Sequence, residues 1–264
     1  MSSDSRIITL TTDFGTQDYY VSAMKAVILG IIPEARLIDV SNDIPPQDIM
    51  AGAWVLRNAA FLFPKGTVHL AVVDPGVGTA RRPLVVEIDG QYFVGPDNGL
   101  FSLLAEKEYR AFEITNTDYL RTDPSNTFHG RDIFAPTAAH LLSGVPIEAF
   151  GKQIPELISY RWAAPINDQE GIQGMVLHID HYGNLISNIP AEYIQEVEDR
   201  GRFKIYVGSA IMNSLSRTFA DVPDGEPAAI IGSSGMLEVI INKGNASEML
   251  SVQKGASISV VSQK

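Results

Sequence analysis

The sequence predicts an α/β protein: an N-terminal layered α/β domain with a mostly parallel central sheet, then a small C-terminal antiparallel β-barrel. Three observations carry this. As far as residue 150, short β-rich runs alternate with stretches whose apolar residues fall at helical spacing. Beyond residue 172 come six short β runs separated by Gly, Asn and Pro. Between them, 151–171 holds Pro155 and Pro165 and has no clear period, so the boundaries expected are 1–155 for the first domain, 156–171 for a linker and 172–264 for the second.

Residues 7–12 read as the first strand. A helix over 19–32 follows and stops before Pro33, because proline cannot continue a helix. Residues 37–40 make a second strand, 48–61 a helix after Pro46, and 68–73 a buried third strand. The runs 84–88 and 92–94 form a hairpin around Asp89-Gly90, a dipeptide that accepts the left-handed turn a tight hairpin needs. Helix 131–142 ends at Ser143-Gly144. The later strands are 174–179, 185–189, 203–207, 228–231, 236–241 and 257–261, with no internal repeat.

Composition narrows the possible functions. With 20 basic against 31 acidic side chains, the net charge of −11 repels a phosphate backbone, so no nucleic-acid partner is expected. The chain has no cysteine, which removes disulfides, thiolate nucleophiles and sulfur-ligated zinc. Residues 1–6 do not start a signal segment and no apolar run reaches membrane-spanning length, so a soluble cytoplasmic protein is expected, without a membrane partner.

Two segments hold ionisable residues among glycines: Asp74-Pro75-Gly76-Val77-Gly78-Thr79-Ala80-Arg81 and Thr127-Phe128-His129-Gly130-Arg131-Asp132. Asp74, Arg81 and His129 together can hold and polarise a water, since a carboxylate and an imidazole accept protons while a guanidinium orients them. Hydrolysis is therefore the chemistry expected. Asp13 and Asp74 each follow a strand's C-terminal end, where open α/β sheets place ligands. Asp13 offers two acceptor oxygens to a vicinal diol such as ribose, Asp18 suits an ammonium group, and Thr16 or Asp18 is a candidate helix cap. The glycine spacing at 76–78 fits neither a P-loop nor a dinucleotide fingerprint.

In the second domain, Gly232-Ser233-Ser234-Gly235 is no nucleophile elbow, but its hydroxyls and backbone amides suit a carboxylate. Asp180-His181-Tyr182-Gly183-Asn184 interrupts two strands, with Gly183-Asn184 at the bend, and its ring and amide suit a purine. His178, Asp180 and His181 are ligand types, yet His181 points away from the other two on a strand, so no metal is expected.

Taken together with Thr12-Asp13-Phe14-Gly15 and Gly95-Pro96-Asp97-Asn98-Gly99, these segments resemble the S-adenosyl-L-methionine hydrolase family, the S-adenosyl-L-methionine hydroxide adenosyltransferases, relatives of fluorinases and chlorinases. The resemblance covers nearly the whole chain. It implies hydrolysis of S-adenosyl-L-methionine to adenosine and L-methionine by in-line attack of an activated water on the ribose C5′, without metal or other cofactor. It implies a homotrimer with active sites shared between subunits. Asp74, Arg81 and His129 match the family's water-activating residues. Asp13 falls on the ribose position, Asp18 and Asp180 on the methionine ammonium, Ser233 and Ser234 on the carboxylate, and Tyr182, Asn184 and the Ala246 backbone on adenine. Phe128, Gly130 and Glu238 complete the substrate-binding set.

The same resemblance separates branches. Halogenases carry tyrosine at the position of Asp74, and a fluorinase carries hydroxyl side chains at those of Val77 and Gly130; a carboxylate would oppose a halide. Arg82 follows Arg81, which leaves open the guanidinium that faces the water, and Ser234 stands where the fluorinase has an arginine. A non-catalytic binding protein for S-adenosyl-L-methionine or adenosine, and a chlorinase-type relative, are the alternatives.

Overall fold

The computed structural model describes residues 6–105, 107–160 and 164–263, in two compact units, 1–160 and 161–264. Residues 1–5 of the N-terminal reading and 161–163 of the expected linker lie outside the described residues.

The first unit is built on a seven-stranded mixed sheet in the order β2-β1-β3-β5-β4-β6-β7. Its strands are β1 Ile7–Thr12, β2 Arg36–Ser41, β3 Val68–Val72, β4 Pro83–Ile88, β5 Gln91–Pro96, β6 Tyr109–Ile114 and β7 Gly151–Ile154. The run β2-β1-β3-β5 is parallel. The hairpin reverses direction at Asp89 (φ 50°) and Gly90 (φ 72°), and β4, β6 and β7 then pair antiparallel. Helix α1 Tyr20–Ile31 and α3 Ala135–Leu142 cover one face, where Ile8, Leu10, Leu70 and Val72 meet Met24, Ile28 and Phe134. Helix α2 Ile49–Ala59, capped by the Asp48 side chain, covers the other, where Ala71, Val73, Val86 and Phe93 meet Leu56 and Phe101. The central strands are buried on both faces, Thr9, Thr11 and Thr12 of β1 and His69 of β3 included.

Several local expectations need correction. Neither Thr16 nor Asp18 caps α1; Tyr19 occupies the cap position and makes no side-chain capping bond. The helix expected over 131–142 is α3 preceded by a π-helical turn, Gly130–Phe134. Strands β6 and β7 went unrecognised. Residues 156–158, expected in the linker, are fastened to the first unit: Ile158 N–H donates to Asp97 Oδ1 at 2.8 Å, and Arg82 Nη2 donates to the Glu156 carbonyl at 3.1 Å.

The second unit is an antiparallel sheet, β12-β11-β15-β9-β10-β14-β13, with β8 paired to β9. Its strands are β8 Ile166–Asn167, β9 Gly171–Ile179, β10 Leu185–Pro190, β11 Phe203–Val207, β12 Ala210–Met212, β13 Pro227–Ile231, β14 Met236–Ile241 and β15 Ser257–Ser262. A bridge from Leu215 to Ala229 brings the two ends of this path together, so the sheet is nearly closed around Val176, Leu185, Ile205, Val239 and Ile258. Closure hides strand edges. Helix α4 Ala191–Arg200, absent from the sequence reading, buries Ile194 and Val197 one turn apart and exposes its charged face. Two apolar positions are too short a stripe to stand out as a period. A last helical turn, α5, spans Ala246–Met249. Among the described residues no helix is long and apolar enough to cross a membrane.

Candidate active site

Register on the first sheet sets the site. Strands β1 and β3 are adjacent and parallel with Thr12 opposite Val72, so Asp13 and Asp74 leave the sheet at the same end. The Asp74 and Arg81 side chains are only 4% and 8% exposed. Arg81 Nε donates to both Asp74 oxygens, at 3.1 and 2.9 Å, and Nη2 donates to Oδ2 as well. The same Nη2 donates to His129 Nδ1 at 2.7 Å, and the guanidinium lies 5.1 Å from the Phe134 ring centre. Asp74, Arg81 and His129 are thus joined, with the guanidinium in the middle.

This order fixes a proton. Guanidinium has no acceptor, so His129 Nδ1 must carry the lone pair and the neutral ring its hydrogen on Nε2. Burial, then the Arg81 charge, holds the His129 pKa below the ordinary imidazole value. A neutral ring with an Nε2–H donor results.

Two loops meet to make this contact. Gly78 has φ 76°, and a Cβ there would lie 2.4 Å from the Asn126 carbonyl oxygen, so glycine permits both the bend and the close approach. His129 then sits at the N-terminal end of the π-helical turn. Phe128 is buried beside it and meets Tyr20 edge-on at 5.2 Å and Phe14 at 6.0 Å. Gly130 is walled by Met24, Phe14 and Phe128, 3.1 to 3.4 Å from where a Cβ would stand.

Asp13 Oδ2 accepts the Gln47 amide at 2.8 Å. Burial raises the Asp13 pKa, with a smaller push from Asp74. Asp18 is exposed just ahead of α1. Arg82, the rival to Arg81, is engaged elsewhere: its Nε donates to Asp97 Oδ2 at 2.8 Å. The guanidinium beside Asp74 and His129 is therefore that of Arg81.

The second unit gathers its own set. Asp180 Oδ1 accepts the Tyr182 and Asn184 amides, each at 2.9 Å, and Oδ2 accepts Asn184 Nδ2 at 2.8 Å. That carboxylate shapes the turn as well as charging it. Gly183 (φ 85°) lies against the Asn245 side chain, and its carbonyl accepts the Ser247 amide at 3.0 Å, which brings Ala246 beside the turn. Glu238 lies against Gly232, with Ser234 Oγ 3.5 Å from its Oε1. Burial raises the Glu238 pKa and Asp180 adds to it, so these acids feel each other. Ser233 is exposed on the same turn. A cavity of about 430 Å³ is lined by Tyr182, Asn184, Phe219, Ile241, Lys243 and Asn245. Tyr182 is 75% exposed and Phe219 47%, leaving ring surface open.

Sequence reasoning missed Phe219, Lys243 and Asn245 in this cavity, and Gln47 beside Asp13. Phe219 follows Thr218, whose capping box with Asp221 was a legible turn signal. Gln47 acts through its amide at φ 65°, for which no residue type is a signal.

The chain matches the SAM hydroxide adenosyltransferase N-terminal domain over residues 8–151 and the C-terminal domain over 174–259. It is 38% identical over 265 residues to the (R)-S-adenosyl-L-methionine hydrolase of Thermus thermophilus, covering 96% of this chain and 98% of that protein. The hydrolase of the same name from Salinispora tropica is 37% identical over 258 residues, with 96% and 97% covered. A fluorinase from Actinopolyspora mzabensis is more distant, at 27% over 288 residues, with 96% of each covered. The crystal structure of an uncharacterised conserved protein from Thermotoga maritima superposes with a TM-score of 0.89 at 37% identity, covering 97% of this chain and 99% of that one. Both domains matched in order, along nearly the whole chain, place the protein in the SAM hydroxide adenosyltransferase family.

Proposed function

We propose that the protein is an S-adenosyl-L-methionine hydrolase that forms adenosine and L-methionine, acting on the (R)-sulfonium epimer for which its curated relatives are named. The observation that carries this reading is the Arg81 guanidinium bridging Asp74 and His129.

In the reaction proposed, water oxygen forms a bond to the ribose C5′ while the C5′–S bond breaks. Its electron pair goes to the sulfonium, which leaves as the neutral thioether of methionine. The substrate brings its own leaving group, so the protein need only place the water and take its proton. His129 Nε2–H points a donor at the water oxygen, and Asp74, whose oxygens keep lone pairs beyond those facing Arg81, takes the proton. Arg81 holds both in place. A halide would have to sit beside the nearly buried Asp74 carboxylate, which opposes a second anion, and this favours water.

For substrate binding, Asp13 takes the ribose hydroxyls and Asp18 and Asp180 the methionine ammonium. Ser233 and Ser234 take the carboxylate, with Glu238 beside them. Phe128 and Gly130 border the reacting carbon. Tyr182, Asn184 and the Ala246 backbone receive adenine, and Phe219 gives that cavity a second ring. A homotrimer and a cytoplasmic location complete the reading; light scattering and cell fractionation read them.

The test is incubation of metal-free protein with the (R) epimer in ¹⁸O-labelled water, with Asp74→Asn as control. Adenosine labelled at its 5′ oxygen, lost in the variant, is expected. Substrate bound but unchanged would overturn the reading in favour of a sensor, and turnover only with added chloride would move the chain to a halogenase.

A further inference from the structure

Asp132 is a buried acid that the reaction above does not use. Its side chain is 2% exposed, yet it carries a dense set of partners. Arg131 grips it with Nε to Oδ1 at 2.7 Å and Nη2 to Oδ2 at 2.8 Å. The Ser125 amide donates to Oδ2 at 2.9 Å, and Arg121 Nε lies 3.6 Å from Oδ1. Its backbone is used as well: the Asp132 amide donates to the Phe128 carbonyl at 3.1 Å, and its carbonyl accepts the Arg121 amide at 3.1 Å. These contacts hold the lowered pKa of a permanent carboxylate, Arg131 and the Ser125 amide overcoming the effect of burial.

What Asp132 closes is the loop that presents His129. Ser125 is bonded at one end and Asp132 at the other, with Asn126, Phe128 and His129 between. Asn126 gives the carbonyl against which Gly78 packs. The Arg131 guanidinium held by Asp132 lies 5.0 Å from the Phe128 ring centre, so one carboxylate braces the ring before His129 and the turn after it. That turn is π-helical, a conformation that costs hydrogen-bond geometry and is found disproportionately where a side chain must be aimed.

We propose that Asp132 is a positioning residue: through Ser125 and Arg131 it sets the loop so that His129 Nδ1 meets Arg81. This rests on the role of His129 proposed above. An error near an ångström in a reacting group costs up to about a hundredfold in rate, so a brace that does not touch the reacting atoms still has leverage.

The experiment compares wild type with Asp132→Asn, which keeps the shape and loses the charge. It reads kcat and KM for S-adenosyl-L-methionine and the ¹⁵N shifts of His129 without substrate. Expected are a kcat about tenfold or more below wild type, KM within about threefold, and a His129 signal that moves from a single Nε2–H tautomer toward a mixture. Unchanged kcat with an unchanged His129 spectrum in a folded variant overturns the proposal and leaves Asp132 a purely structural acid. If Asp132→Asn does not fold, Arg131→Met carries the same test from the more exposed side of the pair. Should wild type not turn over the substrate, the functional reading fails, while the ¹⁵N comparison still decides whether Asp132 sets His129.

Discussion

Arg81 donates to His129 Nδ1 at 2.7 Å, so the histidine's only remaining proton is on Nε2. In the reaction proposed, His129 orients the water as a donor and Asp74 accepts its proton. It follows that a protonated His129 would lose the bond to Arg81 and set two cations together. Because burial and Arg81 lower its pKa, the acid limb that His129 gives kcat/KM is expected below 6.5. A pH–rate profile with an acid limb centred above 6.5 would contradict this.

The adjacent arginines are expected to separate cleanly. Arg81→Lys keeps a charge but not the fork that grips Asp74 and reaches His129, and kcat should fall by about a hundredfold. Arg82→Ala should leave kcat per folded molecule near wild type and lower stability by about 1–3 kcal/mol, because the buried Asp97 carboxylate loses its cation and keeps the Ile158 amide. Steady-state kinetics beside urea unfolding reads both.

His69 should give the first unit an acid-sensitive core. It is 1% exposed, accepts or donates at 2.8 Å with Thr9 Oγ1, bonds Gln91, and stacks on Phe93 at 4.8 Å. Burial lowers its pKa from 6.5 to about 4. The unfolded chain therefore binds a proton that the native one refuses between those values. Stability is complete above pH 6.5 and should drop by about 3 kcal/mol as pH falls to 4. Denaturant titrations of wild type and His69→Gln across that window should differ in slope; parallel curves would refute it.

Gly78→Ala tests the meeting of the two loops. A side chain at φ 76° is strained by about 1 kcal/mol, and its Cβ would displace the Asn126 carbonyl. We expect kcat about tenfold lower with only a few degrees lost in Tm. Unchanged kcat would show that the Asn126 loop need not be seated for turnover.

The amino-acid sequence by itself determined the elements whose signals are local. The apolar runs at β1 and β3, the Asp89-Gly90 hairpin and the Ser143-Gly144 helix end were all readable, because each follows from a period or from a dihedral only certain residues accept. It also marked Asp74, Arg81 and His129 as chemistry in search of a geometry. What it left out was cooperative. Helix α4 holds only two buried apolar residues; β6 is a strand chiefly because β4 offers an edge to pair with, and β7 because β6 in turn offers one. The choice between Arg81 and Arg82 was a matter of sheet register: Arg82 turns to Asp97 and Arg81 to Asp74, two carboxylates 23 residues apart in the chain. Tertiary structure alone decided that the guanidinium stands between Asp74 and His129, and hence which imidazole nitrogen holds the proton. A chain of letters specifies which groups exist; only packing fixes which lone pair each donor meets.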